Sequence, residues 1–182
     1  MELILKKYNE SQIARAKKIK AIIFDVDGVL TSGGIIYSNS GDEQKIFNVK
    51  DGQIMKHLRA NNFLIGAITG RTSALVDRRC KELRLDFHYQ DVRDKFAVYQ
   101  NILREHNLEE EEVAYIGDDI IDLKIIKHAG LGITPADAIE YVKPYADIVT
   151  DKKGGEGVIR EAADFILAAQ GLLEGIVLGY EA

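Results

Sequence analysis

A chain of 182 residues, 46% of them hydrophobic, has the length of one domain and enough apolar material for a real core. Its 24 basic and 29 acidic residues leave a net charge of −5 and a pI near 5.4, without the basic surface that neutralises phosphate backbones, so nucleic acid is not an expected partner. A single cysteine (Cys80) excludes an internal disulfide framework, and the four histidines (His57, His88, His106, His128) lack zinc spacing. No leader with a cleavage site and no stretch of about 20 apolar residues is visible, so the expectation is a protein of the reducing cytoplasm, neither exported nor membrane-spanning.

Residues 1–20, rich in Lys and Ala, read as an N-terminal extension, either an amphipathic helix or a loose terminus, ahead of a single domain over 21–182. Apolar, β-prone runs follow at 21–26, 63–69, 86–90, 112–117, 131–134 and 146–150. Helical periodicity fills 52–61, 73–84, 95–106, 119–129, 136–142 and 156–170. This alternation predicts an α/β fold, a doubly wound and mostly parallel sheet with helices on both faces, which binds ligands at the carboxyl ends of its strands. One segment interrupts it. Residues 31–49 hold two short β-prone runs, "GIIYS" and "QKIFNV", around the turn "NSGDE", and read as a projecting hairpin. No other loop has room for a lid, so the site is expected to be open or covered by another chain.

The strand ends carry the chemistry. In "AIIFDVDGVLT", Asp25 and Asp27 end the first strand at i, i+2 spacing, which puts both carboxylates on one side of an extended chain, and Gly28 permits a tight turn. An EF-hand calcium loop is excluded, because Val29, Leu30 and Ile36 stand at the places that require an oxygen donor, a glycine and a glutamate. Alone, the pair could simply cap a turn. Thr69 and Arg71 in "AITGR", Lys95 in "RDK", and Asp118, Asp119 and Asp122 in "YIGDDIID" fall at further strand or helix mouths, each with its own reading as a cap or solvated charge.

Together these residues suit phosphoryl transfer to a carboxylate nucleophile. Asp25 would attack phosphorus, and Mg2+, bound by the carboxylates of Asp25 and Asp118 with the Asp27 carbonyl as a further ligand, would relieve the repulsion between the two anions. Lys95 and Thr69 would hold the phosphoryl oxygens, and Asp27 would serve as general acid and then base.

The order "FDVDGVLT", "AITGR", "DK", "YIGDDIIDL" resembles the four motifs of the haloacid dehalogenase superfamily of phosphatases. "FNVKDGQIMKHL", "GRTSALVDRRCKEL", "YQDVRDK" and "GGEGVIREAADFIL" are similar, more narrowly, to the 3-deoxy-D-manno-octulosonate 8-phosphate phosphatase family. That resemblance implies a small, capless enzyme of lipopolysaccharide biosynthesis, a homotetramer whose hairpins meet and whose neighbouring subunit closes the site. It implies Asp25 and Asp118 as magnesium ligands, Asp27 as acid/base, Thr69 and Lys95 as phosphate binders, and Arg71 as a contact to the sugar acid. Related nonulosonate 9-phosphate phosphatases share these motifs. A receiver domain is disfavoured by chain order, and a non-catalytic tetramerisation module by the presence of every motif residue. Gly154, Gly155 and Gly157 read as a turn before the last helix rather than a phosphate loop, and the apolar tail "GLLEGIVLGYEA" as packing on its own domain.

Overall fold

The computed structural model describes residues 1–180. Strands β1 (Ala21–Phe24), β4 (Leu64–Ile68), β5 (Phe87–Tyr89), β6 (Val113–Ile116), β7 (Leu131–Thr134) and β8 (Ile148–Val149) form one sheet in the order β5-β4-β1-β6-β7-β8, every neighbouring pair parallel. β1 lies at its centre, with Phe24 level with Ala67 on one side and Ile116 on the other. The ends of β1, β4 and β6 therefore open at one place, where the chain leaves β1 for opposite sides of the sheet.

Burial on both faces accounts for the unbroken apolar strands. Ile22 and Phe24 point into a core shared with helices α3 (Val49–Ala60), α4 (Ala74–Leu83) and α7 (Val158–Ala169). Ala21 and Ile23 point into a second core with α5 (Lys95–His106) and α6 (Leu123–His128). All four side chains are fully buried, which is the pattern of a doubly covered parallel strand.

The chain begins with two short helices, α1 (Glu2–Leu5) and α2 (Glu10–Ala16), laid against α7. Asn9 and Gln12 form a reciprocal capping box that starts α2, and the Tyr8 ring stacks on Phe165 of α7 at 3.7 Å between centroids. Gln170 donates to the carbonyls of Ala16 and Ile19, fixing the approach to β1. At the other end, α8 (Leu173–Leu178) buries Leu173 and packs Leu172 and Ile176 against the same core; of the apolar tail, residues 181–182 lie outside the described residues.

Three expectations are corrected. Residues 136–142 form successive turns rather than a helix: Pro135 opens the connection, Ile139 N–H donates to the Asp118 carbonyl, and Asp137 is drawn off to accept from Gly154 N–H. The helix expected over 119–129 starts only at Leu123, because the Asp122 carboxylate below it serves other partners. The hairpin is shorter than expected. Its ladder is limited to β2 (Ile36–Tyr37) against β3 (Glu43–Gln44), and residues 45–48 leave it to reach the α3 cap at Asn48. No helix among the described residues is long and apolar enough to cross a membrane.

Candidate active site

Asp25 follows β1 directly. Its N–H donates to the Ile116 carbonyl of β6, continuing the ladder by one residue, and its Oδ1 accepts from Val26 N–H at 2.7 Å. The chain then turns sharply through Asp27 and Gly28, the latter at φ +88°. A Cβ on Gly28 would lie 2.1 Å from Asp118 Oδ2, so glycine is required both by the left-handed backbone and by the carboxylate packed over it.

Lys95, the first residue of α5, is buried with its Nζ 2.9 Å from Asp25 Oδ2 and 2.8 Å from Asp122 Oδ1. Tyr115 Oη donates to the same Asp122 oxygen at 2.7 Å, while Asp122 Oδ2 accepts from the N–H groups of Asp118 and Asp119 at 3.2 and 3.3 Å. Every lone-pair direction of Asp122 is thus engaged within the protein. It orients Lys95 and the loop that carries Asp118. Sequence spacing could not separate this role from that of a ligand, since Asp118, Asp119 and Asp122 follow the same strand.

The carboxylates of Asp25, Asp118 and Asp122 offer oxygens within 4.8 Å of one another. Asp118 Oδ1 is buried and has no hydrogen-bond partner. A buried, unpartnered carboxylate oxygen beside a second carboxylate fits a hard divalent cation. Electrostatics agree. Burial first, and then the charges of Asp25 and Asp122, push the Asp118 carboxyl up to about 7. Burial and Asp122 push Asp25 in the same direction, with Lys95 opposing. Desolvation pulls Lys95 down, but Asp25 and Asp122 outweigh it, so its ammonium is favoured.

Asp25, Asp27, Thr69, Gly70, Arg71, Asp118, Asp119 and Ile121 line a cavity of about 150 Å³ at these strand ends. The buried Thr69 is fixed by its backbone, donating N–H to the Tyr89 carbonyl and accepting from Val92 N–H. Arg71 sits at the rim, where Nη2 donates to Glu43 Oε1 at 3.1 Å. Ser73 donates to the other Glu43 oxygen at 2.6 Å and holds that carboxyl below the usual range. Six of the residues singled out in the sequence, Asp25, Asp27, Thr69, Arg71, Asp118 and Asp119, line this one cavity, and Lys95 reaches its floor through Asp25. A larger depression of about 500 Å³ beside α1 lacks such convergence, since its charged groups include the pairs Lys7–Asp151 and Arg160–Asp164.

Sequence reasoning gave no role to Tyr115, Ser73, Glu43 or Lys45. Lys45 Nζ lies 2.5 Å from Asp27 Oδ1. The only signal for the last two was their i, i+2 spacing, which places Glu43 and Lys45 on one face of the hairpin's return strand.

A buried carboxylate at the end of the central strand, a second across from it, a lysine between carboxylates and a hydroxyl at the next strand end define a phosphotransferase-type hydrolase site. Residues 89–161 match the family of haloacid dehalogenase-like hydrolases. The 3-deoxy-D-manno-octulosonate 8-phosphate phosphatase of Escherichia coli K12 is 40% identical over 162 residues, 89% of this chain and 86% of that one; the Yersinia pestis protein of the same name is 42% identical over 163, 90% and 87%. A solved structure of the Moraxella catarrhalis phosphatase, in complex with a magnesium ion, a phosphate ion and a KDO molecule, is 37% identical, with a TM-score of 0.92 and coverage of 95% of this chain and 99% of that one. A cobalt-bound Haemophilus influenzae phosphatase is 34% identical with a TM-score of 0.87, over 92% and 99%. The chain belongs to the 3-deoxy-D-manno-octulosonate 8-phosphate phosphatase family of haloacid dehalogenase-like hydrolases, and it is a phosphatase.

Proposed function

We propose that the protein hydrolyses 3-deoxy-D-manno-octulosonate 8-phosphate to the free sugar acid and phosphate, with Asp25 as nucleophile and Mg2+ as cofactor. The observation that carries this reading is the Asp25–Lys95–Asp122 cluster facing the unpartnered Asp118 oxygen across one small cavity. The kinship with phosphatases of that name supports the substrate.

Asp25 attacks phosphorus and the ester P–O bond breaks, leaving an aspartyl-phosphate and an alkoxide that takes a proton from Asp27. Asp27 then removes a proton from water. The hydroxide attacks phosphorus, the Asp25–phosphorus bond breaks, and phosphate leaves. Lys95 supplies fixed positive charge beside the nucleophile, Thr69 a hydroxyl for a phosphoryl oxygen, and Arg71 a cation at the rim for the substrate's carboxylate. Asp25, Asp118 and the Asp27 carbonyl would hold Mg2+, which when bound neutralises charge on the phosphoryl group.

Comparison of kcat/KM on this substrate and on a nonulosonate 9-phosphate tests the assignment. The octulosonate is expected to be preferred by at least about tenfold, a difference of about 1.4 kcal/mol in transition-state binding. Equal values, or the reverse order, would contradict it.

Metal binding should depend on pH. Because the Asp118 carboxyl is raised from 3.8 to about 7, its contribution to the stability of the metal-free protein is complete below pH 4 and lost as the pH rises through 7. Mg2+ competes with that proton. At a fixed Mg2+ concentration the gain in unfolding free energy should therefore be larger at pH 8 than at pH 6, reaching about 2.7 kcal/mol where the cation stands at 100 times its Kd. Denaturant titrations with and without Mg2+ measure this, and a gain that shrinks as the pH rises would refute the assignment.

We also infer that the protein is a homotetramer joined through its hairpins. Ile35, Ile36, Tyr37 and Ile46 of this small projection, with Val49 beside it, are all exposed, an apolar concentration that a second copy would cover. Sedimentation should give four copies, and a monomer at micromolar concentration would count against it.

A further inference from the structure

The hairpin turns back towards the site and touches Arg71, Ser73 and Asp27. Glu43 in β3 and Lys45 just beyond it both reach inward, and Glu43 is anchored by Arg71 and Ser73 at the rim. The Lys45 side chain is 1% exposed, and its ammonium has two carboxylate neighbours, Asp27 Oδ1 at 2.5 Å and Glu43 Oε1 at 3.6 Å. An ammonium so deeply buried persists only where it is paired, which makes this a built contact rather than a surface encounter.

The contact makes the two oxygens of Asp27 unequal. Oδ1 accepts from Lys45 and, at 3.3 Å, from Thr31 Oγ1. Oδ2 is buried and has no partner. The χ2 torsion of an aspartate is broad, so an unheld carboxyl turns and offers either oxygen in varied directions. Held at Oδ1 by two donors from different parts of the chain, Asp27 keeps one plane and leaves Oδ2 to exchange the proton.

We propose that Lys45 is a positioning residue for the phosphatase reaction, fixing Asp27 through Oδ1 so that Oδ2 meets the leaving oxygen. The proposal rests on the acid/base reading of Asp27. It also ties catalysis to the hairpin, since Lys45 directly follows β3 and precedes the exposed Ile46.

The leaving group separates this role from packing. An alkyl alcohol needs a proton as it departs, whereas p-nitrophenolate leaves without one, and kcat/KM reports only the step in which the alcohol is expelled. Lys45→Met should lower kcat/KM on 3-deoxy-D-manno-octulosonate 8-phosphate by a factor on the order of 10², and on p-nitrophenyl phosphate by about tenfold less. Lys45→Arg, which keeps a cationic donor, should recover part of the loss. Lys45→Gln carries the same readout if the apolar variant does not fold. Equal losses on both esters, or none on either, would overturn the proposal. Asp27→Asn is measured alongside: if it too loses equally on both esters, the acid role itself fails; if it is selective and Lys45→Met is not, only the positioning role fails.

Discussion

Asp25→Asn is expected to reduce turnover by a factor on the order of 10⁴ or more, in a chain that still folds. The amide is nearly isosteric and its oxygen can still accept from Val26 N–H, so the turn after β1 survives. It has no anionic oxygen to bind phosphorus. The charge it removes is one that burial and Asp122 oppose, so the loss of the pairing with Lys95 is partly offset. Turnover should therefore collapse while the unfolding midpoint moves little. A variant with activity within tenfold of the wild type would remove Asp25 from the reaction, and one that failed to fold would show that the carboxylate has a structural role the geometry does not reveal.

Lys95→Met should be costly in both respects. Lys95 bridges two buried carboxylates that no other described cation approaches as closely. Without it, Asp25 and Asp122 face each other uncompensated, and breaking a buried pair in this way costs about 3–5 kcal/mol. The sign of the pH dependence follows. Loss of the ammonium raises the Asp25 carboxyl further above its ordinary value, so the deficit should be smallest near pH 5, where Asp25 can protonate, and grow towards pH 8. Activity should fall by a factor on the order of 10²–10³, the usual cost of removing a fixed group that stabilises transition-state charge. Urea unfolding of the metal-free protein at both pH values, with steady-state rates, provides the check. An unfolding deficit that is the same at pH 5 and pH 8 would contradict the account of the cluster.

The parallel sheet was legible because burial on both faces leaves its mark on each strand alone: "AIIF" and "VAYI" hold no charged residue. The gathering of Asp25, Thr69 and Asp118 was legible for a related reason, since each stands within two residues of a strand's end and parallel strands end together. Contacts that depend on long side chains crossing between elements left no such trace. Lys45 reaches Asp27 from a hairpin whose fold-back is set by Glu43 on Arg71 and Ser73, nearly 30 residues away in the chain. Asp122 looked like any acidic residue near a helix start until its oxygens were found divided among Lys95, Tyr115 and two backbone N–H groups. The turns at 136–142 deceived in the opposite direction. Their apolar spacing imitates a helix, but Val142 is fully buried while Ala138 and Ile139 serve a chain packed against the Asp118 loop.

The hairpin thus joins two surfaces with different demands. Outward, Ile36, Tyr37 and Ile46 present the exposed apolar area proposed to meet a second copy; inward, Glu43 and Lys45 engage the rim and the proposed acid. Residues 31–49 are in this sense both the projection expected from the sequence and a support for the cavity-lining Asp27 and Arg71.

The central claim, a covalent phosphoryl group on Asp25, is tested most directly by acid quench of a single turnover with substrate labelled at phosphorus. Asp27→Asn with labelled p-nitrophenyl phosphate serves as the trapping case, because that ester's leaving group departs without a proton while the variant lacks the base that would activate water. The account predicts protein-bound label, released by hydroxylamine, on the peptide containing Asp25 and on no other. Release of labelled phosphate with no protein-bound label at any time, in the wild type or in Asp27→Asn, would contradict it.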